Sequence, residues 1–126
     1  MAQGAFAAQT AEASQAAVQI TAVLATQPDG LLADAAAFTP SAEAVYLHLR
    51  ADRLASPRPV TFVWTHGDQR EEVEGLLAPS TTLTMAASHH LDAESVGTWK
   101  VEILGEAVED GSQPTLFERE FYVLNE

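Results

Sequence analysis

The side chains with most chemistry to offer are four histidines, His48, His66, His89 and His90. Imidazole moves protons near neutral pH and is the commonest metal ligand. Two carboxylates stand close to them in sequence, Asp68 after His66 and Asp92 after His90. A His66–Asp68 hairpin facing a His89–Asp92 loop would form a small-ligand site, for a sugar or a metal ion. His48 points outward in its alternating run, and a surface metal site from His48, His90 and Asp92 is conceivable. No H-x-x-x-H or carboxylate spacing supports ligation, and adjacent histidines on an extended chain face opposite sides. No metal or other cofactor is therefore expected.

Ser88-His89-His90-Leu91-Asp92 holds the letters of a catalytic triad in one short stretch. Triads are assembled from separated segments held at hydrogen-bond geometry, so neighbours in sequence do not make one. There is no nucleophile elbow and no Gly-rich phosphate loop. Glu71, Glu72, Glu74, Glu118 and Glu120 alternate on strands that should be wet, and glycosidase chemistry would need them in a cleft. Glu109-Asp110-Gly111 lacks the spacing of a calcium loop and reads as a turn. With no cysteine, disulfides and thiolate chemistry are absent. A hydrolase is the weakest reading, and the chain is expected not to be an enzyme.

The elements that would position these residues are strands. Gly97-Thr98-Trp99-Lys100-Val101-Glu102-Ile103-Leu104 alternates strictly, with Trp99, Val101 and Ile103 on one side. Val60 to His66 alternates in the same way around Trp64. This period of two marks strands with one buried face, so both tryptophans belong to the core rather than to a sugar-stacking surface. His66-Gly67-Asp68-Gln69 is a tight hairpin with Gly67 taking positive φ, and Gln69 to Ala78 returns as a charged, edge-like strand.

Further strands are expected from Gln15 to Ala25, from Ala44 to Arg50 with Val45, Leu47 and Leu49 inward, and from Thr115 to Leu124. In the last, Arg119 shares the face of Phe117, Phe121 and Val123, which places it near an end or an edge. Another strand would carry Thr81, Leu83, Met85 and Ala87 inward, with Ser88 to Val96 a loop. Leu31 to Pro40 is an irregular connection in which Phe38 plugs one end of the core. Strands every ten to fifteen residues with turn signals between them predict an all-β fold. The architecture expected is an antiparallel immunoglobulin- or fibronectin-III-like sandwich of seven to eight strands over residues 15–126. Residues 1–14 read as an Ala-rich tail.

Composition narrows the partners. The net charge of −12, from 18 acidic and 6 basic residues, repels phosphate backbones and anionic lipid, so no nucleic-acid partner is expected. The apolar runs are far shorter than the roughly 20 residues of a spanning helix, so no direct membrane insertion is expected either. No basic and apolar leader is present, although Ala5-Phe6-Ala7-Ala8-Gln9 resembles the small-residue region around a signal cleavage site. Composition leaves the oligomeric state open.

Several of these residues also form an ordered set. Phe38, Val45-Tyr46-Leu47-His48-Leu49-Arg50, Val60 to Gly67, Ser88, Gly97 to Ile103 and Phe121-Tyr122-Val123 recur in that order across roughly residues 15–124. In this the chain resembles an uncharacterised family of proteobacterial domains often found at the C-terminal end of envelope-associated proteins. The W-x-x-G hairpin and the G-x-W-x-V strand are distinctive together. The resemblance implies an Ig-like sandwich of the periplasm or cell surface, and carries no activity and no catalytic residues. The expectation is a non-catalytic binding or scaffolding module whose partner is another envelope protein. Recognition would use loops or an edge strand, with His66, Asp68, His89, His90 and Asp92 as candidate contact residues.

Overall fold

The computed structural model describes residues 19–125, so the expected tail (1–14) and the start of the first expected strand lie outside it. Eight strands follow in order: β1 (Gln19–Ala25), β2 (Ala37–Phe38), β3 (Ala44–Asp52), β4 (Arg58–His66), β5 (Gln69–Leu77), β6 (Thr84–His90), β7 (Gly97–Leu104) and β8 (Thr115–Val123). Two single-turn 3-10 helices, Pro40–Ala42 and Ala93–Ser95, sit in the connections. Among the described residues no helix is long and apolar enough to cross a membrane.

The strands form two sheets, β1-β3-β6 and β2-β8-β7-β4-β5, and the molecule is the β-sandwich its alternation predicts. Pairings are antiparallel except the two-residue β2, which runs parallel to β8 through Ala37↔Tyr122 and Phe38↔Val123. The second sheet is thus mixed, and part of the expected irregular connection is a strand. Phe38 is buried and meets Phe121 edge-on at 5.8 Å, plugging the core as its sequence position suggested.

Alternation decides what each sheet buries. Leu24, Val45, Leu47, Leu49 and Ala51 come from the three-stranded sheet. Val60, Phe62, Trp64, Trp99, Val101, Ile103, Phe121 and Val123 meet them from the five-stranded sheet. Trp64 and Trp99 are 1% and 5% exposed, so both are core residues. Gly67 has φ +58 in the two-residue β4–β5 turn, the backbone state a first-position glycine supplies in such hairpins.

Three local expectations are corrected. Leu83 and Met85 do not face inward, because the β3–β6 register jumps from Leu47↔Ala87 to His48↔Met85. Ala86 is the extra residue of a bulge, and one added residue reverses the facing of everything before it. Met85 is consequently 50% exposed while Ala86 and Ala87 pack on the core. Strand β6 also extends to His90, and the helical turn Ala93–Ser95 follows almost at once, so residues 88–96 are not one loop. Finally, His48 lies between Leu47 and Leu49 in phase with the outer face, yet it is 2% exposed rather than solvated.

The open side between β1 and β8 is closed by one short segment. Ala35 N–H donates to Leu24 O of β1, and Tyr122 and Leu124 N–H of the β8 end donate to Ala36 O and Phe38 O. Asp34 accepts from Leu24 N–H through Oδ1 at 3.0 Å. It also takes two hydrogen bonds from the Arg119 guanidinium, at 2.6 and 3.0 Å. Burial raises the Asp34 pKa, but the Arg119 hydrogen bonds and charge and the Leu24 N–H together hold it below the usual carboxylate value. Arg119, expected near an end or an edge, thus sits where the 34–38 segment closes the side of β8.

Candidate functional site

Register brings the predicted cluster to one end of the sandwich. Hairpin pairing puts His66 opposite Gln69 and, on its other side, opposite Trp99. The end of β6 carries His89 and His90, whose backbone partners are Val45 and Ala44. A cleft of about 230 Å³ between these elements is lined by His66, Gln69, His89, His90, Asp92, Glu94, Ser95 and Trp99. Four of the five candidate residues thus converge, and Asp68 alone is left at the exposed tip of the turn.

The walls of the cleft are an aromatic stack. The His66 ring lies on Trp99 with centroids 4.4 Å apart and planes 9° from parallel. Trp99 stacks on Phe121 at 5.9 Å. His89 lies between the two tryptophans, 5.4 Å from Trp64 and 4.7 Å from Trp99. From the edge of the other sheet, Glu71 brings its carboxylate to 3.6 Å from His89 Nδ1. This contact joins β5 to β6 across the gap between the sheets.

Several polar atoms here already have a structural task. His66 Nε2 donates to the Val96 carbonyl at 3.0 Å; a carbonyl can only accept, which fixes the proton on that nitrogen. Gly97 permits this, since a Cβ there would sit 2.8 Å from His66 Nε2 and its φ is +137. Trp99 Nε1 donates to the Ser95 carbonyl at 2.7 Å. Asp92 caps the turn Ala93–Ser95, accepting from Glu94 N–H and Ser95 Oγ–H, while its own N–H donates to Ser95 Oγ.

These assignments bear on the chemistry considered from the sequence. His48 Nε2 donates to the Gln27 carbonyl at 2.7 Å and is buried, so the conceivable His48–His90–Asp92 metal set is not assembled. Among the described residues no three His, Asp or Glu side chains cluster closely enough to hold a metal ion. Ser88 of β6 pairs with Tyr46 of β3, and Asp92 Oδ1 is bound in its cap by Glu94 and Ser95, so the triad letters form no triad. Asp110 accepts from Ser112 N–H and Oγ–H, which lowers its pKa and makes Glu109-Asp110-Gly111 a closed surface turn. The cleft is also smaller than the roughly 300–1,000 Å³ of ordinary small-ligand pockets.

Sequence reasoning missed Gln69, Glu71, Glu94, Ser95 and the second role of Trp99, which is both core residue and cleft wall. The hairpin is the signal that could have found them. Once Gly67-Asp68 closes a two-residue turn, Gln69 and Glu71 must flank His66 and Trp64. Comparison of the chain with protein-family models, curated proteins and solved structures gave no match.

Proposed function

We propose that this domain is a non-catalytic recognition module that takes an extended segment of a protein partner along the free edge of β5. One observation carries the reading: β5 runs nine residues, Gln69–Leu77, and among the described residues pairs over its whole length with β4 alone. A strand in this state presents a row of unpaired N–H and C=O groups that another chain can complete. Val73 and Leu76, 42% and 63% exposed, supply apolar contact surface beside it.

The other edges are poorer acceptors. Strand β6 is seven residues long and broken by the bulge at Ala86. The edge of β1 is occupied at Leu24 by Asp34 and Ala35. Strand β8 is covered at one end by β2, and its Arg119 reaches outward to Asp34. The resemblance to envelope-associated domains makes another envelope protein of the periplasm or cell surface the proposed partner.

The test uses the direction of the β5 amides. A two-residue turn makes His66–Gln69 a hydrogen-bonded pair, so the N–H groups of Arg70, Glu72, Glu74 and Leu76 point away from β4. Glu74→Pro therefore removes a free donor and leaves the β4 ladder intact. Amide hydrogen exchange on the domain alone and with a partner isolated from envelope extract should slow at Glu72 and Glu74. Glu74→Pro should abolish capture without changing the melting transition. Undiminished capture by Glu74→Pro would remove the edge from consideration.

A further inference from the structure

We infer that the segment accepted by β5 is cationic, an extended strand alternating lysine or arginine with apolar residues. The inference rests on the strand-accepting reading and adds the chemical class of its partner. Antiparallel pairing with β4 sorts β5 into two rows, Arg70, Glu72, Glu74 and Leu76 on the outer face and Glu71, Val73, Gly75 and Leu77 toward the core. Side chains directly opposite each other on neighbouring strands stand about 5 Å apart, close enough for like charges to destabilise and opposite charges to help. On the outer row Arg70 is consumed by Glu72 at 2.9 Å, and Glu74 faces neutral Thr61 on β4 with no basic partner among the described residues.

The rest of the molecule cannot neutralise that edge. Four of the six basic side chains are held in ion pairs, Arg50–Asp52, Arg70–Glu72, Lys100–Glu102 and Arg119–Asp34. The net charge of −12 leaves the edge in a negative field. A second copy of this chain is a poor occupant for the same reason. Two β5 strands paired about Val73 would set Glu72 against Glu74 on both sides of the centre. The acidic row thus discourages self-association and favours a partner with basic residues opposite Glu72 and Glu74. On the inner row the half-exposed Val73 offers an apolar contact to partner side chains, while the Phe62 ring covers Gly75, 2.5 Å from where a Cβ would stand.

Two synthetic peptides of β5's length test this, one alternating lysine with valine and the other glutamate with valine. Each is titrated into the isotope-labelled domain by NMR at low and at high salt. The lysine peptide should bind at least about tenfold more tightly at low salt, the effect of two gained charge pairs, and lose that advantage at high salt. Shifts should be confined to the β5 edge, and Glu72→Lys with Glu74→Lys should reverse the preference. Equal binding of both peptides, abolished by Glu74→Pro, would overturn the cationic assignment and leave strand addition standing. Binding of neither peptide at the β5 amides would overturn strand addition itself. Dimerisation through β5 on sizing or sedimentation would instead identify a second copy as the occupant and overturn the cationic assignment.

Discussion

His66 and Trp99 are cross-strand partners whose rings lie 4.4 Å apart and nearly parallel, with the imidazole anchored by the Val96 carbonyl. A histidine with the sequence context of a ligand is therefore a packing residue. Its removal should cost stability: His66→Ala loses a ring stack and a hydrogen bond, together about 2 kcal/mol. His66→Phe keeps the stack and loses only the hydrogen bond, about 1 kcal/mol. Urea unfolding of the two variants measures the difference.

Gly97 should be harder to replace than His66. Its φ of +137 excludes ordinary side chains, and a Cβ would press on His66 Nε2. Gly97→Ala is expected to cost about 2–3 kcal/mol. In the double variant with His66→Ala the clash disappears while the backbone strain remains, so the combined loss should fall short of the sum. Additive losses would show that strain alone sets the cost.

The Asp34–Arg119 clasp predicts acid sensitivity with a definite sign. The Asp34 pKa is lowered in the folded protein, where burial is outweighed by the Arg119 and Leu24 hydrogen bonds. The native state then holds its proton less readily than the unfolded chain. The stabilisation is present above the ordinary aspartate value of about 4 and is lost as pH falls through the lower folded value. The Asp34 side chain is 48% exposed, so solvent screening limits the effect to about 1 kcal/mol. Asp34→Asn should lower the melting temperature at neutral pH and differ progressively less from the parent below pH of about 4, as both approach the protonated state.

The bulge in β6 can be tested by charge insertion. Met85→Lys places a charge on an exposed site and should change stability by about 0.5 kcal/mol or less. Ala87→Lys forces a cation toward the core and should cost upward of about 2 kcal/mol. Equal effects at the two positions would show that the alternation runs through Ala86 without interruption.

Trp64 and Trp99, both almost fully buried, should emit at short wavelength and resist acrylamide quenching. Emission should shift to the red in a single transition on unfolding. Strong quenching of the native state would contradict the packing of the two rings.

Much of this fold is legible in the residue order because a strand with one buried face writes its geometry into a period of two. Trp64, Trp99, Val101, Ile103 and Phe121 declare their burial by alternation, Gly67-Asp68 declares a turn, and the charged run Gln69–Leu76 marks an edge-like strand. The bulge was illegible, since Leu83, Met85 and Ala87 alternate as well as any strand does. Only the pairing with β3, where Leu47 and His48 compete for position against Ala87 and Met85, inserts the extra residue and turns Met85 outward. His48 fails in the same way: its alternation is read correctly, but its burial depends on a contact with Gln27, twenty-one residues away.

The candidate site divides along the same line. The sequence by itself determined that His66, His89, His90 and Asp92 would lie near one end, because hairpin and strand lengths set which turns share an end. Only tertiary structure decided what they do there. Ring stacking, the Val96 carbonyl and the Asp92 cap occupy His66, Trp99, Asp92 and Ser95, and such long-range contacts leave no period in the sequence. Among the described residues, the open ladder of β5 is what stays free for a partner. The charged run marks β5 as edge-like, but only the strand order leaves it a single neighbour among the described residues, and that order follows from which apolar faces bury each other most completely.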